Sequence, residues 1–576
     1  MPRAVRLASN PLLAIKLPAW RSHFAMFVLA LSFLTLAARA VHLQLFSNDF
    51  LQAQGEARYA RTLELPATRG KILDRNGVVL ATSLPAYGIW ASPEDVDVDS
   101  SQLGELARLL QVSERELKRR LARDSKFVYL QRQVEPRVAA SVRALGIAGV
   151  HLSAENKRHY PEAELLAHVV GFTDVEDVGQ EGVELAQQRV LGGRPGLRRV
   201  IKDRLGHVIE DVGAVRLPHD GGDLTLSIDT KIQYLAFAAL KDAVREHKAR
   251  AGAVVVLDAH SGEILAMTNW PTYNPADRSQ AAGARLRNRA VTDVFEPGST
   301  LKPFTAALAL ELGRVRPSTM IDLDDGRIRI GGHTIRDVKS HGPLTVAQVI
   351  QKSSNVGTVK LAMEMPARQM WELYTALGFG QAPNLGFPGV VAGRVRPYRR
   401  WRPVEQATMS FGHGISVSLI QLARAYTVFA SDGELLPLSL VRRAEPAGGV
   451  RVLRPSTAHA VRDMLEQAAG PEGTGPRARV TGYRVAGKTG TAHKLEGRRY
   501  GDKYIASFVG LAPASDPRVI VAVMIDEPSA GKHYGGEVAA PVFARIAGDS
   551  LRLLGVQPDA PFDLELDAPD AVGEST

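Results

Sequence analysis

Residues 24 to 46 constrain this chain more than any other stretch. Phe24 to Ala38 carries no formal charge and, at ~1.5 Å per residue, spans about 22 Å. Continuing to Phe46 supplies the length that a hydrocarbon layer of ~30 Å requires. The extension includes Arg39 and His42, whose side chains reach toward an interface. Residues 1 to 48 hold Arg3, Arg6, Lys16, Arg21 and Arg39 and no acid. Positive charge ahead of the apolar run is expected to keep residues 1–23 in the cytoplasm and to put everything after residue 46 outside. Ala38-Arg39-Ala40 has the small-x-small form of a signal cleavage site, but the n-region is long and Arg39 sits inside that site, so an uncleaved anchor over 24–46 is the expectation. Either way the bulk of the chain is exported.

The exported part has the composition of globular protein. The 576 residues are 45% hydrophobic and 23% charged, enough for three or four domains at roughly 150 residues each. Absence of cysteine excludes disulfides, thiolate metal sites and cysteine nucleophiles. Of the net charge of +10, from 71 Lys+Arg against 61 Asp+Glu, about half lies around the anchor. Elsewhere the signs are mixed, without basic runs interleaved with aromatics, which argues against nucleic acid as a partner. Asp559, Asp563, Glu565, Asp567, Asp570 and Glu574 near the end predict an acidic disordered tail over 556–576.

After the anchor, Asn76-Gly77 signals a turn before Val78 to Ala81. Residues 47–220 alternate short strands with charged helices such as Glu114 to Arg123 and contain nothing of catalytic character. Pro218 to Gly222 is turn chemistry and marks the expected boundary to a second domain over 221–555. There, Asp229 is a candidate N-cap for a helix to about His247, followed by a hairpin of Ala253 to Asp258 and Glu263 to Thr268. A long helical middle precedes the strand-like Tyr504 to Gly510 and Val519 to Ile525. Strand-rich segments enclosing a helical insert predict an α+β domain with a mostly antiparallel sheet and a helical subdomain.

Chemistry concentrates in three triplets. Ser299-Thr300-Leu301-Lys302 follows Pro297-Gly298 and opens an Ala/Leu-rich run, and Pro303 is tolerated only if the helix begins near Ser299. Residues i and i+3 share a helix face, so Ser299 and Lys302 are expected to be neighbours. A serine hydroxyl needs a base within ~2.6 to 3.2 Å, and Lys302 serves only when neutral, through burial or a second cation such as Lys488. Ser353-Ser354-Asn355 offers a hydroxyl to relay a proton to the leaving amine and an amide to orient Lys302 or substrate. Lys488-Thr489-Gly490, with Thr491, makes a carboxylate receptor, and the backbone N–H groups of Ser299 and Thr491 are the expected oxyanion hole. A second Ser-x-x-Lys, Ser529 to Lys532, contains a glycine and reads as loop.

In this order the triplets are the signature of penicillin-binding proteins and class A β-lactamases. The chain resembles the class B penicillin-binding proteins, membrane-anchored peptidoglycan transpeptidases, from the anchor to about residue 555. The likeness includes Arg69 to Gly77, Arg158-His159-Tyr160-Pro161, Gly182-Val183-Glu184, Lys352 to Gly357 and Ala486 to Ala492. Thr292 to Ser299, Tyr534-Gly535-Gly536 and Ala540 to Phe543 look most like the division-specific branch; the elongation-specific branch is similar but matches less closely, and a β-lactam-hydrolysing or β-lactam-sensing homologue is the alternative on the same fold. The resemblance implies a penicillin-binding, serine β-lactamase-like fold over 221–555 on a mixed α/β, non-catalytic pedestal of dimerisation type over 47–220. It further implies acylation of Ser299 by a D-Ala-D-Ala stem peptide, inhibition by β-lactam antibiotics, no cofactor, and residence in the bacterial inner membrane with the catalytic domain periplasmic. Implied partners are stem peptides, the glycan polymerase FtsW and other membrane proteins of the divisome. His413, in Phe411-Gly412-His413-Gly414, stands where the family is often aromatic, and Val417 to Gln421 lacks its usual Thr-Pro pair.

Gly482 to Thr489 also matches the phosphate-loop pattern G-x-x-x-x-G-K-[ST], and Val519 to Ile525 runs into Asp526-Glu527. That loop must connect a buried strand to a helix N-terminus. Gly470 to Pro476 upstream cannot make the strand, and Thr489 to Gly497 downstream has no apolar helix face. No His-Glu-x-x-His occurs, and no metal site is expected.

Overall fold

The computed structural model describes residues 18–46, 60–96, 99–202, 208–277, 279–496 and 499–561. Residues before Pro18, and the acidic stretch after Pro561, lie outside the described residues. The chain forms two compact units, residues 1–67 with 194–219, and residues 68–193 with 220–576.

In the first unit, helix α1 (Ala19–Val41) begins ahead of the expected Phe24 and continues as a π turn over His42–Phe46. It is exposed along its length, and an apolar helix of this span fits a single-pass membrane anchor. The Ser32 and Thr35 hydroxyls donate to the carbonyls of Val28 and Leu31, each at 2.8 Å, so neither polar group is left unpaired in the apolar stretch. The remainder is an antiparallel sheet of Ala60–Leu65, Gly196–Lys202 and Val208–Arg216.

The second unit takes in residues from both sides of the expected boundary near residue 220. Ile72–Leu73 pairs in parallel with Leu224–Thr225, and the Asp74 carboxylate accepts from Asn76 N and Val78 N, both at 2.8 Å, and from Thr230 Oγ1 at 2.9 Å. One apolar core joins Ile72, Val169 and Leu191 to Val255 and Leu419. The three family-like segments of the amino-terminal half meet in a buried triad. Glu184 Oε2 accepts from Arg69 Nε at 2.6 Å and its Oε1 from Arg158 Nε at 2.7 Å, with the two arginines and the glutamate almost free of solvent.

Helix α2 (Thr230–Glu246) starts where Asp229 caps it, the carboxylate accepting from Lys231 N and Ile232 N at 3.0 and 3.2 Å. Strands β1 (Ala251–Asp258) and β2 (Ile264–Trp270) form the expected hairpin. Helix α3 (Lys302–Glu311) follows a 3₁₀ turn, and the helical subdomain includes hairpin β3 (Arg327–Ile330) and β4 (His333–Arg336), then α4 (Val346–Gln351), α5 (Asn355–Met363) and α6 (Pro455–Ala469). The sheet resumes with β5 (Ala486–Glu496), β6 (Arg499–Ala512) and β7 (Val519–Asp526), and α7 (Ala540–Leu553) closes the domain. The strand order is β2-β1-β7-β6-β5, antiparallel throughout, with β5 at the edge.

Every residue of β1 and β7 is buried. Successive side chains point to opposite faces, so Val254, Val256, Val521 and Val523 pack with Leu240 and Phe543 on the α2/α7 side, while Val255, Leu257, Ile520 and Ala522 face the helical subdomain. That is why these strands are continuously apolar instead of alternating. Residues 556–561, counted in the expected disordered tail, are described, and Asp559 is held in place. Asp559 N donates to Gly482 O at 3.1 Å, and its carboxylate accepts from Arg484 N at 2.7 Å and Ser515 Oγ at 2.5 Å, which docks the first acid of that stretch.

Removing one member of a buried ion pair strands the other charges. Glu184→Ala is expected to lower unfolding stability by about 3–5 kcal/mol, measured by urea denaturation of the protein in detergent; a loss no larger than that of a surface substitution would refute the triad as a structural anchor.

Candidate active site

The nucleophile candidate sits on a 3₁₀ turn, Gly298–Leu301, that runs directly into α3 with Pro303 in its first turn. In a 3₁₀ turn side chains at i and i+3 eclipse, which aligns residues 299 and 302. Gly298 has φ +56°, and the Thr300 hydroxyl donates to Pro297 O at 2.7 Å to close the turn. Ser299 is half-buried, and among the described residues no group hydrogen-bonds its hydroxyl. Lys302 is fully buried. Its Nζ donates to the carbonyl oxygen of Ser353 and to Ser353 Oγ, the latter at 3.2 Å. Burial pulls the Lys302 amine down to about 7, and the nearby Asp337 carboxylate opposes that shift.

Ser353 occupies the joint between α4 and α5. Ser353 N donates to Ile350 O at 3.2 Å and Ser354 N to Val349 O at 2.9 Å, a Schellman closure of α4 in which the left-handed position usually given to glycine is taken by Ser353, at φ +60°. The next residue caps α5, the Ser354 hydroxyl accepting from Gly357 N at 2.9 Å. Asp337, just after β4, locks this joint: its carboxylate accepts from Ser354 Oγ at 2.6 Å and Val356 N at 2.9 Å.

Lys488, Thr489, Gly490 and Thr491 lie on edge strand β5. Lys488 is fully buried, with Nζ 3.3 Å from Thr489 Oγ1, 3.4 Å from Thr489 O and 3.4 Å from Thr474 Oγ1. Burial, then the Lys302 cation, push its amine well below the usual lysine range. Thr489 Oγ1 is 2.7 Å from Thr474 Oγ1, and Thr491 Oγ1 accepts from Gly535 N at 3.0 Å. Gly490 permits the strand to lie against the nucleophile turn: a Cβ there would fall 2.4 Å from Ser507 Oγ, 2.9 Å from Thr300 Cγ2 and 3.0 Å from Pro297 O. Behind the turn, a Cβ on Gly412 would fall 2.2 Å from Gly298 O.

This is two buried amines, two hydroxyls and the edge strand of the sheet beside one half-buried serine, an arrangement suited to covalent acyl transfer. The family described as the penicillin binding protein transpeptidase domain matches residues 252–548, and that described as the penicillin-binding protein dimerisation domain matches residues 64–226. The chain belongs to the class B penicillin-binding proteins. It is 45% identical over 547 residues, 94% of each chain, to the probable peptidoglycan D,D-transpeptidase PenA of Neisseria gonorrhoeae. It is 43% identical over 541 residues to the peptidoglycan D,D-transpeptidase FtsI of Escherichia coli K12, covering 92% of this chain and 91% of that one. The solved transpeptidase domain of Burkholderia pseudomallei penicillin-binding protein 3 is 52% identical, with a TM-score of 0.55, and covers 58% of this chain and 98% of that one.

Within this penicillin-binding protein, Lys302 contacts Ser353, and the charge of Lys302 is felt at Lys488. Asn355 is placed differently from the expectation: its Nδ2 donates to Arg336 O at 2.9 Å, tying α5 to the β3–β4 hairpin, and no hydrogen bond to Lys302 is present among the described residues. Burial, not Lys488, dominates the shift at Lys302. Ser529 donates to Lys248 O at 2.8 Å in an irregular segment, apart from these groups. Lys488-Thr489 is strand, followed by more strand, so the phosphate-loop pattern has no helix N-terminus behind it. His413 packs between Phe411 and Tyr500, with centroids 5.2 and 5.9 Å away, and burial lowers its pKa. Sequence reading passed over Asp337 and Thr474, since each is a lone residue in a turn-forming stretch with no motif around it.

Filling the space at Gly490 forces either the strand or the nucleophile turn to move. Gly490→Ala is expected to cost about 1–3 kcal/mol of stability, read as a lowered thermal midpoint; an unchanged midpoint would contradict the close packing of β5 on the turn.

Proposed function

We propose that this class B penicillin-binding protein is the D,D-transpeptidase that cross-links peptidoglycan stem peptides during septation, through an acyl-Ser299 intermediate that β-lactam antibiotics also form. The observation that carries the reading is the fully buried Lys302 amine, hydrogen-bonded to Ser353, one turn along the chain from Ser299 and near enough to Lys488 for its charge to be felt there. A D-Ala-D-Ala donor adds along the free edge of β5, its carboxylate meeting Lys488 and the hydroxyls of Thr489 and Thr491. Neutral Lys302 takes the Ser299 proton as Oγ attacks the penultimate carbonyl, and the oxyanion rests on the N–H groups of Ser299 and Thr491, worth about 3–4 kcal/mol per donor. The proton passes through Ser353 Oγ to the departing D-Ala nitrogen as the C–N bond breaks. An amine from a neighbouring strand then attacks the ester, its proton returning to Ser299 as the C–O bond breaks. The incoming carboxylate also favours the charged form of Lys488 that burial opposes.

The septal assignment is supported by the identity to FtsI over most of the chain and by the Thr292 to Ser299 wording. FtsW and other divisome membrane proteins are the proposed partners, reached through α1, with the catalytic domain periplasmic.

A fluorescent penicillin is expected to label the protein at one mole per mole; Ser299→Ala abolishes labelling and Ser529→Ala leaves it intact. Labelling that survives in Ser299→Ala would overturn the assignment.

Because the base must be uncharged and its pKa is about 7, the rate of acylation should climb with pH through that value and level off above it, falling about tenfold per unit below. Asp337 stabilises the Lys302 cation, so Asp337→Asn moves this limb to lower pH. Stopped-flow acylation between pH 5 and 9 checks the sign; a limb displaced upward would contradict it.

A further inference from the structure

The loop 470–475, Gly470-Pro471-Glu472-Gly473-Thr474-Gly475, folds back on the end of α6, with Gly473 N donating to Gly470 O and Gly475 N to Ala468 O, both at 3.0 Å. Two glycines mark close approaches: a Cβ on Gly473 in the loop would fall 2.1 Å from Ala468 O, and one on Gly536, outside it, would fall 2.3 Å from Thr474 O. The backbone at Thr474 is thereby fixed from both sides. On one flank, Lys352, the neighbour of Ser353, donates Nζ to Glu472 O at 2.9 Å, with the Glu472 carboxylate 3.8 Å away. On the other, Thr474 Oγ1 lies 2.7 Å from Thr489 Oγ1 and 3.4 Å from Lys488 Nζ. The loop thus straps the Ser353 joint to the Lys488 strand.

Counting protons shows what the strap does. Lys488 as an ammonium has three N–H bonds, facing Thr474 Oγ1, Thr489 Oγ1 and Thr489 O. Each hydroxyl has one proton, and only one of the two can lie in the short bond between them. Whichever way that bond points, one O–H beside the cation is left unused within the triangle. A cation with an adjacent unpaired donor matches a carboxylate.

We propose that Thr474 is a positioning residue for the donor's terminal carboxylate, orienting the Thr489 hydroxyl and the Lys488 ammonium that receive it. This rests on the reading of Lys488 and Thr489 as the carboxylate receptor. It adds a group from outside the three triplets, delivered by a loop that leaves no trace of chemistry in the sequence.

The test compares two thioester donors on the full-length protein in detergent, an acyl-D-alanyl thioester ending in a carboxylate and its carboxamide counterpart, by thiol release. Wild type prefers the carboxylate. Thr474→Val, nearly isosteric, lowers kcat/KM for the carboxylate about tenfold, mainly through KM, and changes the carboxamide by less than about twofold; Thr474→Ser restores the preference. Equal losses on both donors, or a Thr474→Ser as impaired as Thr474→Val at a wild-type thermal midpoint, would assign Thr474 a merely structural role and overturn the proposal. Unchanged kinetics would overturn it too. A wild-type protein indifferent to the carboxamide swap refutes the carboxylate receptor itself, a different result from failure of the variant alone.

Discussion

Two lysine amines without solvent exposure, the charge of one felt at the other, are the constraint that this half of the molecule is built around. Removing an ammonium from water costs several kcal/mol unless oxygen partners replace the lost hydration. Lys302 receives the carbonyl and hydroxyl of Ser353, with the Asp337 carboxylate at longer range. Lys488 receives two hydroxyls and one carbonyl, all beyond 3.2 Å. Long contacts to neutral oxygens are weak compensation for a charge. The same desolvation that gives Lys302 a basic lone pair therefore leaves Lys488 short of an anion, and in the proposed reaction the substrate brings one.

Holding Lys488 in place falls to the sheet. β1 and β7 are covered on both faces, which buries their backbone ladders and makes the centre stiff, while β5 at the edge has a free side. An edge strand is ordinarily a liability because its unpaired groups accept any passing chain. Here the free edge runs beside Ser299, and Gly490 lets it press on the nucleophile turn with no side chain between. Farther along β5, Lys494 reaches across to Asp526 Oδ1 at 2.6 Å and Glu527 Oε1 at 2.7 Å, which ties the edge to the end of β7.

What sequence made legible was what local rules govern. Asp229 marked α2 because an N-cap is a property of a few consecutive residues, and the β1–β2 hairpin and the continuous apolar run of β7 were readable for the same reason. Ser299, Lys302, Ser353 and Lys488 were recoverable because their triplets are distinctive as words. The parts that depend on distant pairing were not. Arg69, Arg158 and Glu184 were noticed as separate segments, yet nothing in any one of them announces a shared ion cluster. Asp337 precedes its hydroxyl partner by 17 positions, and Thr474 precedes Thr489 by 15, each inside turn-forming sequence. Asp559 looked like the start of a solvated acidic tail, because an acid that caps a distant backbone reads the same as one in water. Asn355 shows the converse: a distinctive triplet gives no hint that its amide donates to the backbone of Arg336.

Ser353 shows how chemistry can override a local rule. The position that ends α4 demands a left-handed backbone, where glycine is free of strain and serine bears a cost of order 1 kcal/mol or more. Glycine there would relax the joint and delete the hydroxyl that stands 3.2 Å from Lys302 Nζ. The strained residue persists because its surroundings over-determine it: two backbone bonds close α4 around it, Ser354 immediately begins α5, Asp337 clamps the first turn of α5, and the Lys302 amine holds the Ser353 carbonyl. A left-handed residue also turns its side chain away from the path that a continuing helix would give it. The result is a hydroxyl presented to the lysine from a rigid corner rather than from a helix face, which suits the proton relay proposed for it.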